Sequence, residues 1–145
     1  MRRCNYHARI KKHIKANYYH LTINISDYEK SLPFYKDLFS YLGWQVVKEG
    51  AKHAGFTDGS AEIWLKETGE DYKKSGYHRK RTGVNHLAFR VKTREEVDQF
   101  YREFLVPRKI SSLYGSPKPF PQYTNKYYAA FFEDPDRLKL EVVCL

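Results

Sequence analysis

Cysteine is scarce in this chain of 145 residues, which contains only Cys4 and Cys144. The two are far apart and lack the close spacing of a thiolate metal site. We therefore predict a reduced protein that no disulfide stabilises, as is usual in the cytoplasm. The sequence also lacks any run of 18 apolar residues, and no hydrophobic signal segment follows Arg2-Arg3. A membrane segment is not expected, and the predicted location is cytoplasmic.

Acidic residues are absent from the first 15 positions, although the whole chain has a net charge of +9. Six of those charges lie in this short stretch, so the rest of the chain is nearly balanced. We interpret residues 1–17 as a basic N-terminal extension of a single domain at 18–145, and nucleic-acid binding is not expected. The basic residues of the stretch are Arg2, Arg3, Arg9, Lys11, Lys12 and Lys15.

Two motifs of enzyme chemistry are also missing. The chain has no Gly-rich phosphate loop and no evident Ser-His-Asp or cysteine nucleophile arrangement. Aromatic residues, in contrast, are abundant at 17%, with 13 tyrosines. This exceeds the need of a minimal core and leaves aromatic side chains to line a pocket or an interface.

Two segments share one strand pattern that begins with a histidine. In residues 20–25, His20 starts a strand whose apolar side chains alternate with polar ones, and His86 starts a matching strand at 86–91. Because successive side chains on a strand point to opposite faces, both histidines are predicted to lie opposite the core face. Two equivalent histidines on the polar faces of two equivalent strands indicate a shared polar cavity.

The elements that follow each histidine strand repeat with an offset of 66 residues. After the first strand we predict a helix capped by Ser26-Asp27 and ended by Gly43, then strands at 44–48, 53–57 and 61–66. After the second we predict a helix from Thr93 to Phe104 and strands at 108–113, 126–133 and 137–143. A Pro/Tyr-rich insert at 114–123 is predicted to exclude regular strand pairing. The fold is therefore α+β, with βαβββ units at 18–66 and 84–145 joined by a polar connector at 67–83.

The last strand adds a carboxylate to the predicted cavity. Leu138, Leu140 and Val142 form its core stripe, which places Glu141 on the same face as the two histidines. Two imidazoles and one carboxylate form an open ligand set that leaves positions for water and substrate on a divalent ion. We predict that His20, His86 and Glu141 bind Fe, Mn, Ni, Co or Zn, without a preference among them.

Three stretches together resemble the vicinal oxygen chelate superfamily, which includes glyoxalase I, extradiol dioxygenases, fosfomycin resistance enzymes and bleomycin resistance proteins. They are the segment from His20 to Phe39, the segment Asn85-His86-Leu87-Ala88-Phe89, and the Asp-Pro-Asp turn at 134–136 before the Glu141 strand. The resemblance spans about residues 18–143. It implies paired βαβββ modules that form a cupped mixed β-sheet with helices on its outer face, a divalent metal in the cup, and a homodimer. His20, His86 and Glu141 match the metal positions of the family.

One position departs from the glyoxalase I pattern. That enzyme has a fourth protein ligand on the last strand of its first unit, and here the equivalent residue is Trp64, which cannot bind a metal. Glu62, two residues earlier on the same face, is the alternative ligand. Glyoxalase I activity is therefore not expected, and the three-ligand set is more similar to the fosfomycin resistance and dioxygenase branches.

Further residues are predicted to serve the substrate. Arg90 shares a face with His86, and Lys139 lies beside Glu141, so either can hold an anionic substrate or form a structural ion pair. The apolar wall of the pocket, or alternatively the core, is assigned to Trp64, Tyr123, Tyr127 and Tyr128. We predict a lyase, transferase or isomerase in which Glu141 and Arg90 take part, acting on a small oxygen-chelating substrate. The alternative is a metal-free drug-binding protein of the bleomycin-resistance type.

Overall fold

The structure is a computed structural model that describes residues 15–145. Most of the predicted basic extension therefore lies outside the described residues. Two βαβββ modules follow one another, and their bounds agree with the sequence-based elements to within a few residues. The first module contains β1 (His20–Ile25), α1 (Tyr28–Tyr41), β2 (Gln45–Glu49), β3 (His53–Thr57) and β4 (Glu62–Glu67).

The connector contains one short helix, α2 (Glu70–Lys73), in an otherwise irregular segment. The second module contains β5 (His86–Arg90), α3 (Arg94–Phe100) with a π-helical continuation (Tyr101–Leu105), β6 (Leu113–Pro119), β7 (Tyr128–Glu133) and β8 (Lys139–Cys144). Among the described residues, no helix combines the length and apolar character needed to cross a bilayer.

Local sequence signals explain where α1 and α3 begin. Asp27 caps α1 by accepting a hydrogen bond from the backbone N–H of Lys30. Thr93 and Glu96 form a capping box at the start of α3. Pro33 lies inside α1, beyond the first turn where proline is most easily accommodated.

Each module forms a four-stranded mixed sheet, in the orders β1-β4-β3-β2 and β5-β8-β7-β6. In both sheets the first and last strands of the module are parallel and the remaining neighbours antiparallel. This confirms the predicted α+β fold with two βαβββ modules. The hydrogen-bonded unit is the sheet of each module rather than one continuous sheet. Each sheet has an apolar face that packs against the helices and an opposite face that bears His20 or His86; we call these opposite faces the polar faces.

The Pro/Tyr-rich insert differs from the prediction. The strand expected at 108–113 instead occupies Leu113–Pro119, so the first half of the insert is itself a strand. It pairs with β7 only near its two ends, with a register shift between Leu113 and Lys118. The prolines therefore do not exclude pairing, since Lys118 pairs with Ala129 and Pro119 with Tyr128.

One shared core joins the two modules. Its buried residues include Phe39 of α1, Phe56 of β3 and Phe89 of β5, and Phe39 contacts both of the others. Polar contacts reinforce it, since the buried Tyr35 hydroxyl donates a hydrogen bond to Asp134 Oδ2 at 2.7 Å. Helix α1 of the first module is therefore fixed against the β7–β8 turn of the second.

Candidate metal and substrate site

Glu141 is the most unusual residue of the polar face, because its charged side chain is fully buried. A small cluster of buried side chains surrounds it on that face: Phe120, Ala129, Phe131 and Val143. The cluster forms because the chain between β6 and β7 folds back over the sheet and brings Phe120 onto Phe131, with ring centroids 5.0 Å apart. An ionised carboxylate in such a place requires compensating partners.

Among residues 15–145, only one oxygen of Glu141 has a hydrogen-bond partner. The Tyr127 hydroxyl donates to Oε1 at 2.5 Å. The other oxygen, Oε2, is buried without a hydrogen-bond partner and lies 3.3 Å from His86 Nε2. The structure therefore brings His86 and Glu141 together as predicted.

The neighbouring Asn85 determines which nitrogen of His86 carries a proton. Its Nδ2 donates to the carbonyl of Arg79 at 2.9 Å, which turns Oδ1 toward His86 Nδ1 at 2.7 Å. Since Oδ1 can only accept, Nδ1 carries the proton and the lone pair of a neutral ring resides on Nε2. Burial, followed by the positive charge of Lys139, lowers the pKa of His86 and outweighs the opposing effect of the Glu141 carboxylate, so the neutral ring is favoured. A nitrogen lone pair and a carboxylate oxygen then face each other across 3.3 Å.

The predicted cationic residues differ in their positions. Lys139 is half-buried, and its ammonium lies 5.4 Å from the Phe131 ring centroid and 5.8 Å from that of Tyr114. Its positive charge is therefore held at the edge of the Glu141 cluster. Arg90 is exposed at the end of β5, four residues after His86 on the same face. Neither side chain forms a salt bridge among the described residues.

Two of the predicted tyrosines lie near Glu141 and the third does not. Tyr127 reaches it directly, and Tyr123 packs on Tyr127 with ring centroids 5.0 Å apart. Tyr128, by contrast, lies on the helix side of β7, where its hydroxyl donates to Asp98 Oδ1 at 2.7 Å. Adjacent strand residues face opposite ways, so Tyr128 packs against the core, the alternative that the sequence left open, and not beside Glu141.

The first module carries an aromatic site at the equivalent position. Thr22 pairs with Trp64 in the first sheet as Ala88 pairs with Glu141 in the second, which supports the predicted correspondence of Trp64 and Glu141. The indole Nε1 donates to Glu62 Oε2 at 2.7 Å. Glu62, the alternative fourth ligand named from the sequence, is thus already engaged by Trp64.

His20 lies with Trp64 rather than with Glu141. Both line a cavity of about 620 Å³ on the polar face of the first sheet, together with Tyr19, His53 and Lys66. Within residues 15–145, no three His, Cys, Asp or Glu side chains approach closely enough to hold one metal ion. A single copy of the described chain therefore brings together two of the three predicted ligands.

Several contacts of the site were missed by sequence reasoning. Asn85 directly precedes His86, and an amide beside a histidine predicted to bind metal could have suggested its orienting role. Tyr127 was assigned only to an apolar wall, whereas its hydroxyl contacts Glu141. The role of Phe120 depends on the path of the segment between β6 and β7, and no local pattern indicates it.

Comparisons with known proteins agree with this architecture. The sequence profile of the Glyoxalase/Bleomycin resistance protein/Dioxygenase superfamily matches residues 18–142. Uncharacterized protein YqjT of Bacillus subtilis (strain 168) is 31% identical over 125 residues, which are 86% of this chain and 96% of that protein. The crystal structure of a candidate glyoxalase from Bacillus halodurans has a TM-score of 0.81 and 34% identity, over 88% of this chain and 95% of that one.

The fold extends to more distant proteins. A genomically encoded fosfomycin resistance protein from Listeria monocytogenes has a TM-score of 0.64 at 20% identity, over 91% of this chain and 95% of that one. At this identity the likeness concerns the fold alone. The profile match and the Bacillus relatives confirm the resemblance seen in the sequence, and the chain belongs to the Glyoxalase/Bleomycin resistance protein/Dioxygenase superfamily.

Proposed function

We propose that this protein is a divalent-metal-dependent enzyme, a lyase, transferase or isomerase, that acts on a small oxygen-chelating substrate. The observation that carries the proposal is the buried, unpartnered Oε2 of Glu141 facing Nε2 of His86 at 3.3 Å. With the proton of His86 on Nδ1, the buried oxygen of Glu141 faces the nitrogen lone pair of a partly exposed imidazole. A cation between them removes this repulsion, and imidazole with carboxylate is a donor set that transition metals accept.

The third ligand in this proposal is His20 of a second copy of the chain. Within one described chain His20 lines a different cavity from Glu141. His20 is exposed on the polar face of the first sheet, where another copy can be approached. A homodimer in which the first module of each copy faces the second module of the other would bring all three predicted ligands together.

Each neighbouring residue has a defined task in this proposal. Asn85 fixes the tautomer and the ring orientation of His86, and Tyr127 holds one oxygen of Glu141 so that the other is directed to the ion. Phe120 and Phe131 exclude water from the carboxylate. Arg90 and Lys139 supply positive charge for an anionic substrate. When bound, the divalent ion supplies Lewis acidity that stabilises negative charge developing on a substrate oxygen.

Calorimetric titration of metal-stripped protein with Mn²⁺, Ni²⁺, Co²⁺ and Zn²⁺ tests the proposal. We expect one ion per chain with micromolar or tighter affinity, weakened roughly 100-fold or more by His86→Ala, Glu141→Gln or His20→Ala. His53→Ala is the matched control, because His53 lines the first cavity but is not part of the ligand set. Absence of divalent binding, or binding that Glu141→Gln leaves unchanged, would contradict the metal site.

A mixed dimer separates the two parts of the proposal. Co-purified His20→Ala and Glu141→Gln chains would form heterodimers in which one site lacks two ligands and the other is intact. We expect about one high-affinity ion per heterodimer and none in either parent variant. Loss of binding in both parents without recovery in the heterodimer would place His20 in the same chain's site instead.

A metal-free binding protein of the bleomycin-resistance type is the second candidate. Trp64 favours it, because an indole lines the open cavity of the first module where metal chemistry has no use for it. If this alternative holds, neither removal of metal with a chelator nor His86→Ala should change the affinity for the ligand. Glyoxalase I turnover is expected from neither candidate, since Trp64 takes the equivalent of the fourth ligand position and Glu62 is bound to its indole.

A further inference from the structure

We propose that the cavity of the first module binds a planar aromatic anion, which stacks on Trp64 and pairs its negative group with Lys66. The proposal concerns the class of ligand. That this ligand is the substrate rests on the proposed function, whereas the binding site itself is argued only from the first module.

The indole of Trp64 lies flat on the backbone of Gly55. A Cβ atom added at Gly55 would lie 2.7 Å from Cε2 and 2.8 Å from both Cδ2 and Cζ2 of Trp64. Nearly equal distances to three atoms of the six-membered ring mean that this Cβ would sit over the ring face. Any residue other than glycine would lift the indole, so the sequence at position 55 permits this arrangement.

The other face of the indole is available to a ligand. Trp64 is only half-buried and lines the cavity of about 620 Å³. Its one polar hydrogen is already donated to Glu62 Oε2 at 2.7 Å, which holds the ring in place. A rigid aromatic surface without a free donor favours stacking of a flat π-system over hydrogen bonding.

One lysine of the cavity lining can pair with an anion. Glu67 is paired with Lys52 at 2.8 Å and with Lys73 at 3.3 Å, whereas Glu62 keeps its negative charge, because the indole N–H that contacts it is neutral. Lys66 lies on the same face of β4 as Trp64 and lines the cavity, and it forms no salt bridge within residues 15–145. The first 14 residues contain no carboxylate side chain that could pair with it. Within residues 15–145 its ammonium therefore has no carboxylate partner and can pair with the negative group of a ligand.

Nuclear magnetic resonance of the indole N–H signals tests this site directly. The chain has two tryptophans, so the variants Trp44→Phe and Trp64→Phe assign the two signals. Trp44 packs against the core, where its ring stacks on Phe39 with centroids 5.1 Å apart, and serves as the internal reference. Metal-stripped protein is titrated with 2-naphthoate, with the neutral 2-naphthalenemethanol, and with the non-planar cyclohexanecarboxylate. We expect a saturable shift of the Trp64 signal with 2-naphthoate and at least tenfold weaker binding of the other two.

Variants assign the two parts of recognition. Trp64→Leu and Gly55→Ala should each weaken 2-naphthoate at least tenfold, one by removing the ring and the other by displacing it. Lys66→Met should weaken 2-naphthoate about tenfold and leave the neutral analogue unchanged, whereas Lys30→Met, on the exposed side of α1, should change neither. Equal binding of the three probes, or undiminished 2-naphthoate binding to Trp64→Leu, would overturn the proposal.

One further variant separates this proposal from the metal site. Glu141→Gln removes a predicted metal ligand in the other module and should leave 2-naphthoate binding to metal-stripped protein unchanged. If metal binding fails while 2-naphthoate still binds, the proposed enzyme is wrong and the aromatic site stands. If the metal binds while 2-naphthoate does not, the aromatic site is wrong and the metal centre stands.

Discussion

The two modules share one strand register, but the equivalent central position of the last strand is Trp64 in the first module and Glu141 in the second. In the first sheet Trp64 faces Gly55 across the β3–β4 pair, and in the second sheet Glu141 faces Phe131 across β7–β8. The aromatic residue of the pair therefore lies on the last strand in the first sheet and on the neighbouring strand in the second. The repeated pattern thus specifies the backbone of both sheets, whereas single positions within it decide whether a module stacks a ring or buries a carboxylate.

The modules differ equally in what covers their polar faces. In the second, the chain after β6 folds over the sheet and buries Glu141 with Phe120 and Phe131. In the first, no insert follows β2, and the cavity beside Trp64 remains open. Because electrostatic interactions strengthen as water is excluded, the buried Glu141 carboxylate of the second module interacts strongly with a nearby cation. The open module suits ligand entry.

The largest expected effect comes from removing the aromatic residue of the buried module. Phe131 is 3% exposed and contacts Phe120 and Tyr114. Phe131→Ala should lower the free energy of unfolding by about 3–4 kcal/mol, since it leaves a cavity in the cluster over Glu141. Trp64→Ala in the open module is the matched control and should cost roughly 1–2 kcal/mol, because its ring is half-exposed. Urea unfolding with a chelator present measures both, and equal costs would show that the two faces are buried alike.

The two aspartates of the equivalent turns provide a comparison in pH dependence. Asp134 is buried, and burial raises the pKa of its carboxyl to about 6. Asp58 is exposed, and hydrogen bonds from the backbone N–H groups of Ala61 and Ser60 lower its pKa. A raised folded-state pKa gives stability below the unfolded pKa that is lost as the pH rises through about 6. A lowered pKa gives the opposite dependence, with stability lost as the pH falls.

The pKa of Asp134 predicts the size of its effect. Between pH 4 and 7, the free energy of unfolding of the unmodified protein should fall by up to about 3 kcal/mol relative to that of Asp134→Asn. The comparison with Asp58→Asn, extended below pH 4, should show a difference of the other sign, present at neutral pH and lost as the pH falls below the ordinary carboxyl pKa. Urea titrations at several pH values measure both. A pH-independent difference for Asp134→Asn would mean that its carboxyl is not desolvated as the structure indicates.

Much of this fold follows from local patterns, and the divergence between the modules does not. Alternation placed His20 and His86 on the polar faces, Asp27 indicated the start of α1, and the turn at 134–136 located the Glu141 strand. The burial of Glu141 depends on a proline-rich segment whose course is set by its packing on the sheet of its own module. Likewise, the separation of His20 from Glu141 depends on how α1 packs between modules, through contacts such as Tyr35 with Asp134. Periodicity carries no information on such packing.

The smallest expected effects compare the hydrogen bonds that each module gives its carboxylate. Tyr127→Phe removes the one donor to the buried Glu141 and should lower the free energy of unfolding by roughly 1–2 kcal/mol in the presence of a chelator. Glu62→Gln weakens the half-exposed contact with Trp64 and should change the free energy of unfolding by no more than about 0.5 kcal/mol. Its effect should appear instead as a shift of the Trp64 indole N–H resonance, because the ring loses its charged acceptor. If Glu62→Gln costs as much as Tyr127→Phe, the first module desolvates its carboxylate as strongly as the second. The division into a buried charge site and an open stacking site would then have to be abandoned.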